Sequence, residues 1–166
     1  MSFHLSLSEK ELSSYSRIGV AYSGGVDSLS LLKKLTELNL DKKKIYALHI
    51  NHGISEQSDL WEQHCKETSK NLGVNFQCFS LNMPNNSSED EMRNLRYREF
   101  ENWFQKGDII LTAHHREDQL ETVLFRLFRG TSIKGLIGIP KIKEDSRFKL
   151  IRPLLDTDKK EILNFA

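Results

Sequence analysis

RIGVAYSGGVDS, residues 17–28, joins a short apolar run to a glycine turn and the beginning of a helix. The run Arg17–Tyr22 has the length and composition of a buried strand, and the two glycines that follow it allow a tight loop. Apolar residues then recur at helical spacing over Asp27–Leu38. A strand, a loop and a helix in this order form the first half of a parallel crossover unit.

The same alternation of strand and helix continues along the chain. Strands are predicted at Lys44–Ile50, Val74–Leu81, Asp108–Thr112 and Phe148–Arg152. Helices are predicted from Ser58 to Gly73, from Ser88 through Phe104, over Glu117–Arg129 and over Thr157–Ala166, with a loop over Gly130–Pro140. This order predicts an α/β domain: an open, doubly wound, mostly parallel sheet of about five strands with helices on both faces.

Several apolar side chains have the spacing of core residues on these predicted helices. On the helix Glu117–Arg129 they are Leu120, Val123, Leu124 and Leu127. On the two preceding helices they are aromatic, and we expect them to pack in the core rather than stack on nucleic-acid bases: Trp61, Phe100, Trp103 and Phe104.

The composition fits one domain over residues 1–166, with 38% hydrophobic and 28% charged residues and three prolines. Two cysteines without a CxxC pair exclude a disulfide scaffold, an iron–sulfur cluster and an all-cysteine zinc site. We expect a cytoplasmic protein without a membrane partner, because a signal sequence and a spanning run of ~20 apolar residues are both missing. The last predicted helix has no cap, so we expect a fragment of a longer protein.

Charge is distributed unevenly along the chain. Residues 1–125 hold 14 basic and 18 acidic side chains, whereas residues 126–166 hold 10 basic and 5 acidic ones. The net charge of +1 does not by itself indicate a nucleic-acid partner. A basic C-terminal quarter would suit a polyanion, and the alternative is a solvated face with lysines near helix ends.

The loop Ser23–Ser28 has the chemistry of a phosphate site. Ligands of open parallel sheets bind beyond the carboxyl ends of the strands, and two glycines let backbone amides approach a phosphate. The helix adds its N-terminal amides, the two serines add hydroxyls, and Asp27 suits a magnesium ion that bridges phosphates. The loop has neither the Gly-Lys-Ser/Thr of a Walker loop nor the GxGxxG of a dinucleotide site.

At a strand-to-helix junction, SGGVDS resembles the pyrophosphate-binding loop of the N-type ATP pyrophosphatases, which cleave ATP between the α and β phosphates. Five further segments narrow the resemblance: His49–Gly53, Arg93–Tyr97, Thr112–Thr122, Arg129–Pro140 and Arg152–Leu155. In order and spacing they are similar to the catalytic domain of the bacterial tRNA(Ile)-lysidine synthetases. The resemblance covers nearly everything from Ile18 to Ala166.

The resemblance implies a two-step reaction that uses ATP and magnesium. ATP adenylates the C2 oxygen of the wobble cytidine in an isoleucine tRNA with a CAU anticodon, and the amine of free L-lysine then displaces AMP to give lysidine. Asp27 would hold magnesium and take part in catalysis. The ATP site would comprise Ser23, Gly24, Gly25, Val26, Asp27, Ser28, His49 and Asn51.

The remaining roles follow from the chemistry of these two steps. Arg93 or Arg96 would neutralise the phosphate or the activated intermediate. Asp118 and Glu121 lie three residues apart, so they share a helix face and would bind the ammonium groups of lysine. One of them, or His114 or His115, would accept the proton. Basic residues on and after this helix would contact the tRNA: Arg126, Arg129, Lys134, Lys141 and Lys143.

Two features depart from the family pattern. Glu117 stands beside Asp118 where a second aspartate is expected, which leaves its role open. The family's C-terminal domains, which help to bind tRNA, have no counterpart in these residues.

Two alternative functions stay open. A different ATP pyrophosphatase, such as a tRNA 2-thiocytidine synthase or an amidotransferase-type synthetase, would need cysteines or an ammonia source that the sequence does not show. A nucleotide-binding module without turnover would keep affinity for ATP but not engage tRNA.

Overall fold

The computed structural model describes residues 3–51, 53, 56–81, 89–130, 132, 136–144 and 149–166, with the backbone alone at positions 56, 89, 90 and 93. Within these ranges six strands form one sheet: β1 (Ile18–Ala21), β2 (Ile45–Asn51), β3 (Asn75–Ser80), β4 (Ile109–Leu111), β5 (Ile142–Glu144) and β6 (Lys149–Ile151). Their order is β3-β2-β1-β4-β6-β5. All neighbours are parallel except β5 and β6. The prediction of a mostly parallel α/β sheet is confirmed.

The helices of the described residues are α1 (Glu9–Ser13), α2 (Val26–Thr36), α3 (Glu56–Leu72), α4 (Glu89–Trp103), α5 (Arg116–Phe128) and α6 (Lys159–Phe165). Sequence analysis did not predict α1, although Ser8 and Glu11 form a capping box at its start. The helix predicted to begin at Ser58 begins two residues earlier, and the predicted cap Ser88 lies outside the described residues. None of the described helices is both long and apolar enough to span a membrane.

Strand β5 is the strand that the prediction of about five strands did not include. It pairs antiparallel with β6 at the edge of the sheet, with Ile142 opposite Ile151 and Glu144 opposite Lys149. All three of its residues are exposed. A three-residue, mostly charged segment carries no alternation of apolar and polar residues, and exposed charges on an edge strand oppose further pairing.

Apolar side chains cover both faces of the sheet. On one face, Leu31, Leu32 and Leu35 of α2 are fully buried against strand residues such as Val20 and Ile109. On the other face, Phe100 of α4 packs against a cluster that Trp103 and Phe104 join. The prediction that these three aromatic residues pack in the core is confirmed, and the sheet is doubly wound.

Helix α5 differs from its prediction. Leu120, Leu124 and Leu127 are 58%, 49% and 52% exposed, and α5 has no buried residue among those described. Val123 is only half-buried. The prediction that these residues form core contacts is wrong, because helical periodicity shows that a helix has an apolar face but not which surface that face meets.

Candidate active site

A cleft lies beyond the carboxyl ends of β1, β2 and β4, where the sequence predicts a ligand site. A cavity of about 300 Å³ extends from β1 towards β2 and α3. A second cavity of about 590 Å³ extends from the same strand towards α5. Ser23 of the phosphate loop and Arg96 of α4 line both cavities, so the two cavities are adjacent parts of one cleft region.

The phosphate loop is held by hydrogen bonds among its own residues. The Gly25 N–H donates to Ser23 Oγ over 3.2 Å, and Ser28 Oγ donates to the Gly25 carbonyl over 3.0 Å. Helix α2 then begins after Gly25 without a side-chain cap. Among the described residues, the amides of its first turn therefore have no side-chain cap, which is the arrangement that favours a bound phosphate.

Gly24 is required at its position for two reasons. Its φ of +83° is one that side chains rarely adopt. A Cβ atom there would also lie 2.7 Å from Trp61 Nε1 and 2.7 Å from Cys65 Sγ. Trp61 Nε1 donates to the Ser23 carbonyl over 2.8 Å. Trp61 is 47% exposed and lines the smaller cavity, so the prediction that it packs in the core is wrong.

Asp27 has the geometry that a magnesium ligand needs. Its Oδ2 lies 3.7 Å from His115 Nε2, whereas its Oδ1 is buried and has no hydrogen-bond partner among the described residues. A carboxylate oxygen without a hydrogen-bond partner is the type of donor that magnesium prefers, and phosphates of the substrate commonly complete its coordination. The residues present therefore fit the ion.

The smaller cavity contains the two predicted ATP-site residues outside the loop. His49 is buried and its Nδ1 lies 2.9 Å from the Tyr22 carbonyl oxygen. The Asn51 amide donates to Glu62 over 2.7 Å and accepts from the Gly53 N–H over 2.9 Å. The first of these bonds lowers the pKa of the Glu62 carboxyl. Asn51 thus lines the cavity with an amide that already holds the end of β2 in place.

Both cysteines lie near this cavity as protonated thiols. Burial, reinforced by the charge of Glu62, raises the pKa of Cys65 to about 11. Burial and a hydrogen bond to Glu62 raise the pKa of Cys78 to about 12. Because the thiolate is the reactive form, neither cysteine is activated near neutral pH.

The larger cavity brings together the residues predicted to bind lysine and move its proton. Asp118, Glu121 and His114 all line it. His114 Nδ1 lies 2.8 Å from Thr112 Oγ1, which fixes the orientation of the ring. Together with Asp27, the cavity holds three carboxylates, one imidazole and Arg96, which are the groups that a cationic amine and a phosphate would need.

Sequence analysis did not assign Arg152 to this cavity. Its side chain lines the larger cavity although the residue is only 2% exposed, and Nη1 donates to the Pro140 carbonyl over 2.6 Å. The signal in the sequence is a lone arginine within the otherwise apolar run Leu150–Leu155. Buried arginines are rare and need partners.

His115 and Glu117 lie next to residues of the larger cavity without lining it themselves. His115 Nδ1 lies 3.2 Å from Glu117 Oε2 and 3.6 Å from Asp118 Oδ2. The Glu117 carboxylate also accepts hydrogen bonds of 3.0 and 3.1 Å from the Lys159 N–H. Slight burial acts to raise the pKa of Glu117, but the bond from Lys159 and the charge of His115 lower it. Neither cavity is lined by Glu117.

The residues predicted to contact tRNA are less closely grouped. Arg126 lines the larger cavity and donates to the Ile137 carbonyl. Arg129 is exposed beyond the cleft, with its guanidinium 4.1 Å from the centre of the Phe125 ring. Lys141 pairs with Asp156, and Lys143 lies over the Tyr97 ring. Lys134 and the side chain of Arg93 lie outside the described residues.

A family model described as a PP-loop domain matches residues 3–166. The chain belongs to the PP-loop family. A curated tRNA(Ile)-lysidine synthase from Pseudomonas syringae pv. tomato is 38% identical over 150 residues, which are 89% of this chain and 34% of that protein. The synthase of Coxiella burnetii is 35% identical over 159 residues, or 93% of this chain and 35% of that protein. The chain spans about a third of the length of these relatives.

Solved structures share the PP-loop fold. A U34-tRNA thiolase from Methanococcus maripaludis superposes with a TM-score of 0.75 at 20% identity, covering 97% of this chain and 59% of its own. An NH3-dependent NAD synthetase from Campylobacter jejuni gives a TM-score of 0.56 at 14% identity, covering 95% and 66%. At these identities the likeness shows the fold alone.

Proposed function

We propose that this PP-loop chain is the ATP-using domain of a tRNA(Ile)-lysidine synthase. The observation that carries the proposal is the pair of adjacent cavities that share Ser23 and Arg96, the larger of which brings Asp27 and Ser28 of the phosphate loop together with Asp118 and Glu121. The curated relatives that support it are 35–38% identical over at least 150 residues. The substrates are ATP, L-lysine and a CAU-anticodon isoleucine tRNA, and the reaction belongs to the cytoplasm.

ATP would occupy the smaller cavity with its phosphates on the loop. The cavity is lined by apolar side chains such as Leu48, Ile50 and Phe100, which suit an adenine ring. Gly24, Gly25 and the α2 amides would cradle the departing pyrophosphate. Asp27 and the nearby serine hydroxyls would hold magnesium, which when bound neutralises charge on the phosphates.

In the first step the C2 oxygen of the wobble cytidine attacks the α-phosphorus, and the bond to the β-phosphate oxygen breaks. Pyrophosphate leaves towards the loop, and the nucleotide remains joined to the base as an adenylate. Arg96 lies between the two cavities, where its guanidinium would stabilise charge on the transferred phosphate. Arg93, one helical turn earlier on α4, is the second predicted cation.

In the second step lysine enters the larger cavity. Asp118 and Glu121 would bind its ammonium groups, and His114 would take the proton that the attacking amine must lose. The amine attacks C2, the C2–O bond breaks, and AMP leaves with the oxygen. The base then carries the lysine side chain in place of its oxygen.

The tRNA would approach along the basic part of the chain. Arg126 at the edge of the larger cavity and the exposed Arg129 are suited to phosphate contacts, and Lys134 is the third predicted contact. Such contacts position a tRNA without reading its sequence, so selection of the anticodon is left to contacts with the bases themselves.

Mass spectrometry of the tRNA tests the proposal directly. The chain is incubated with magnesium, ATP, lysine and an unmodified CAU-anticodon isoleucine tRNA, and the nucleosides are then analysed. We expect lysidine at the wobble position, and none when arginine replaces lysine. Cytidine that stays unmodified while ATP is turned over would contradict the proposal.

Two single substitutions separate the roles within the cleft. Asp27→Ala should abolish AMP formation, and the midpoint of unfolding should change little, because the Asp27 side chain in the first turn of α2 is 30% exposed and its Oδ1 makes no hydrogen bond among the described residues. Asp118→Asn should raise the KM for lysine more than the KM for ATP. Equal effects on both KM values would contradict the assignment of Asp118 to lysine.

A nucleotide-binding module without its own turnover is the second candidate, because the chain spans only about a third of its curated relatives. It predicts that Mg-ATP raises the melting temperature whereas tRNA does not. Thiolation is disfavoured because both cysteines have raised pKa values.

A further inference from the structure

We infer that His115 is a positioning residue that sets the orientation of the Asp27 carboxylate for magnesium and ties it to the lysine cavity. This inference rests on the proposed function. His115 ends the segment between β4 and α5, whereas Asp27 begins α2 after β1, so their contact connects two separate loops at the cleft. The residue is 3% exposed, which holds its ring in place.

The two ring nitrogens of His115 face carboxylates on opposite sides. Nε2 lies 3.7 Å from Asp27 Oδ2, and Nδ1 lies 3.2 Å from Glu117 Oε2. The His115 backbone N–H donates to Asp118 Oδ2 over 2.8 Å. A single residue thus contacts the proposed magnesium ligand, the proposed lysine ligand and a third carboxylate.

As a result, the two carboxylate oxygens of Asp27 have different surroundings. Oδ2 faces the imidazole, and Oδ1 is the buried oxygen without a hydrogen-bond partner in the described part of the chain. Partners that are hydrogen-bonded to a metal ligand typically change metal affinity 10–100-fold when they are removed; at 3.7 Å His115 approaches Asp27 electrostatically, so we expect an effect at the lower end of this range.

The contacts around His115 also indicate what Glu117 does. Its carboxylate accepts from the Lys159 N–H near the start of α6 and lies 3.2 Å from His115 Nδ1, which makes no hydrogen bond among the described residues, so its approach to the ring is electrostatic. Neither cavity includes it among its lining residues. The glutamate that stands in place of an expected aspartate therefore acts on the cleft through His115 and not by touching substrate.

The test uses calorimetric titration of the full chain with ATP, once with magnesium and once with a chelator. The wild type should bind ATP more tightly with magnesium. In His115→Gln the amide reaches the position of Nε2 and should keep most of that gain. In His115→Asn the amide reaches only the position of Nδ1, and the gain should fall by about tenfold, while the affinity without magnesium stays within about twofold.

Two further variants complete the design. Glu117→Gln, at a half-exposed side chain, should fold normally and lose a smaller part of the magnesium gain. His4→Asn, at an exposed histidine remote in sequence, is the matched control and should behave as the wild type. Circular dichroism confirms that each variant is folded before titration.

The outcomes distinguish the inference from the function on which it rests. A wild type whose ATP affinity does not respond to magnesium contradicts the proposed function, and the role of His115 with it. A magnesium gain that persists in both His115→Asn and Glu117→Gln contradicts the role of His115 alone. An equal loss of affinity with and without magnesium identifies a purely structural residue and also overturns the inference.

Discussion

Gly24→Ala should damage the phosphate loop more than its small size suggests. The residue has a φ of +83°, a conformation that costs an L-residue about 1–2 kcal/mol. The new Cβ would also lie 2.7 Å from Trp61 Nε1 and from Cys65 Sγ. Cys65 is fully buried, and Trp61 can retreat only by breaking its bond to the Ser23 carbonyl.

The loss of stability expected for Gly24→Ala follows from these contacts. Overpacking typically costs about 1–3 kcal/mol, and a lost hydrogen bond costs about 0.5–1.5 kcal/mol. Together with the backbone term, Gly24→Ala should lower the free energy of unfolding by about 3–5 kcal/mol. It should also weaken ATP binding, because the loop that would cradle the phosphates must shift.

Gly130→Ala is the matched control for the backbone term. Gly130 has a φ of +70°, and a Cβ there would meet none of the described residues within 4 Å. Gly130→Ala should therefore lower the free energy of unfolding by only about 1–2 kcal/mol. Urea unfolding followed by far-UV circular dichroism measures both variants. Equal losses at the two positions would refute the reasoning, because the contacts with Trp61 and Cys65 would then contribute nothing.

Three further predictions follow from the structure. Leu124→Gln, on the exposed face of α5, should change the free energy of unfolding by less than about 0.5 kcal/mol. Leu32→Ala in the core should lower it by about 2–5 kcal/mol in the same urea titration. Similar losses for the two variants would show that α5 is buried after all. Mg-ATP should change the tryptophan fluorescence of the wild type and of Trp103→Phe but not of Trp61→Phe, since Trp61 is the tryptophan that lines the cleft. A fluorescence response that survives in Trp61→Phe would contradict the placement of ATP. At pH 8 iodoacetamide should leave both cysteines of the folded chain unmodified, because burial raises the pKa of Cys65 to about 11 and that of Cys78 to about 12. In urea it should alkylate both. Rapid labelling of the folded chain would show an activated thiol.

The strand-to-helix order and the phosphate loop could be predicted because each is a local feature of the sequence. The stretch from Ile18 to Tyr22 carries no charged residue, and the central strand β1 is buried on both faces. The glycines of the loop mark the turn where the chain leaves the sheet. The carboxyl ends of parallel strands meet at one edge, so segments after β1, β2 and β4 were expected to form one cleft.

The errors concern contacts between distant segments. The leucines of α5 have the period of a core helix, yet the surface that they face is solvent. Strand β5 is too short and too charged to show a strand pattern, and pairing with β6 alone defines it. Trp61 has core spacing, but its indole is directed to the Ser23 carbonyl by the way α3 crosses the phosphate loop.

Sequence analysis named most of the residues that line the cleft but not the contacts that these residues make with one another. Asp27, His114, Asp118 and Glu121 all line the larger cavity, and the roles assigned to them stay predictions. The buried Arg152 and the contacts of His115 with carboxylates on either side depend on loops folding together, which residue spacing does not specify.

The products of ATP cleavage test the central claim most directly. The chain is incubated with magnesium, α-labelled ATP and unmodified CAU-anticodon isoleucine tRNA, with and without lysine, and the labelled nucleotides are separated. The account predicts AMP, with release that rises only when both tRNA and lysine are present. Labelled ADP, or AMP release that is indifferent to tRNA, would contradict it.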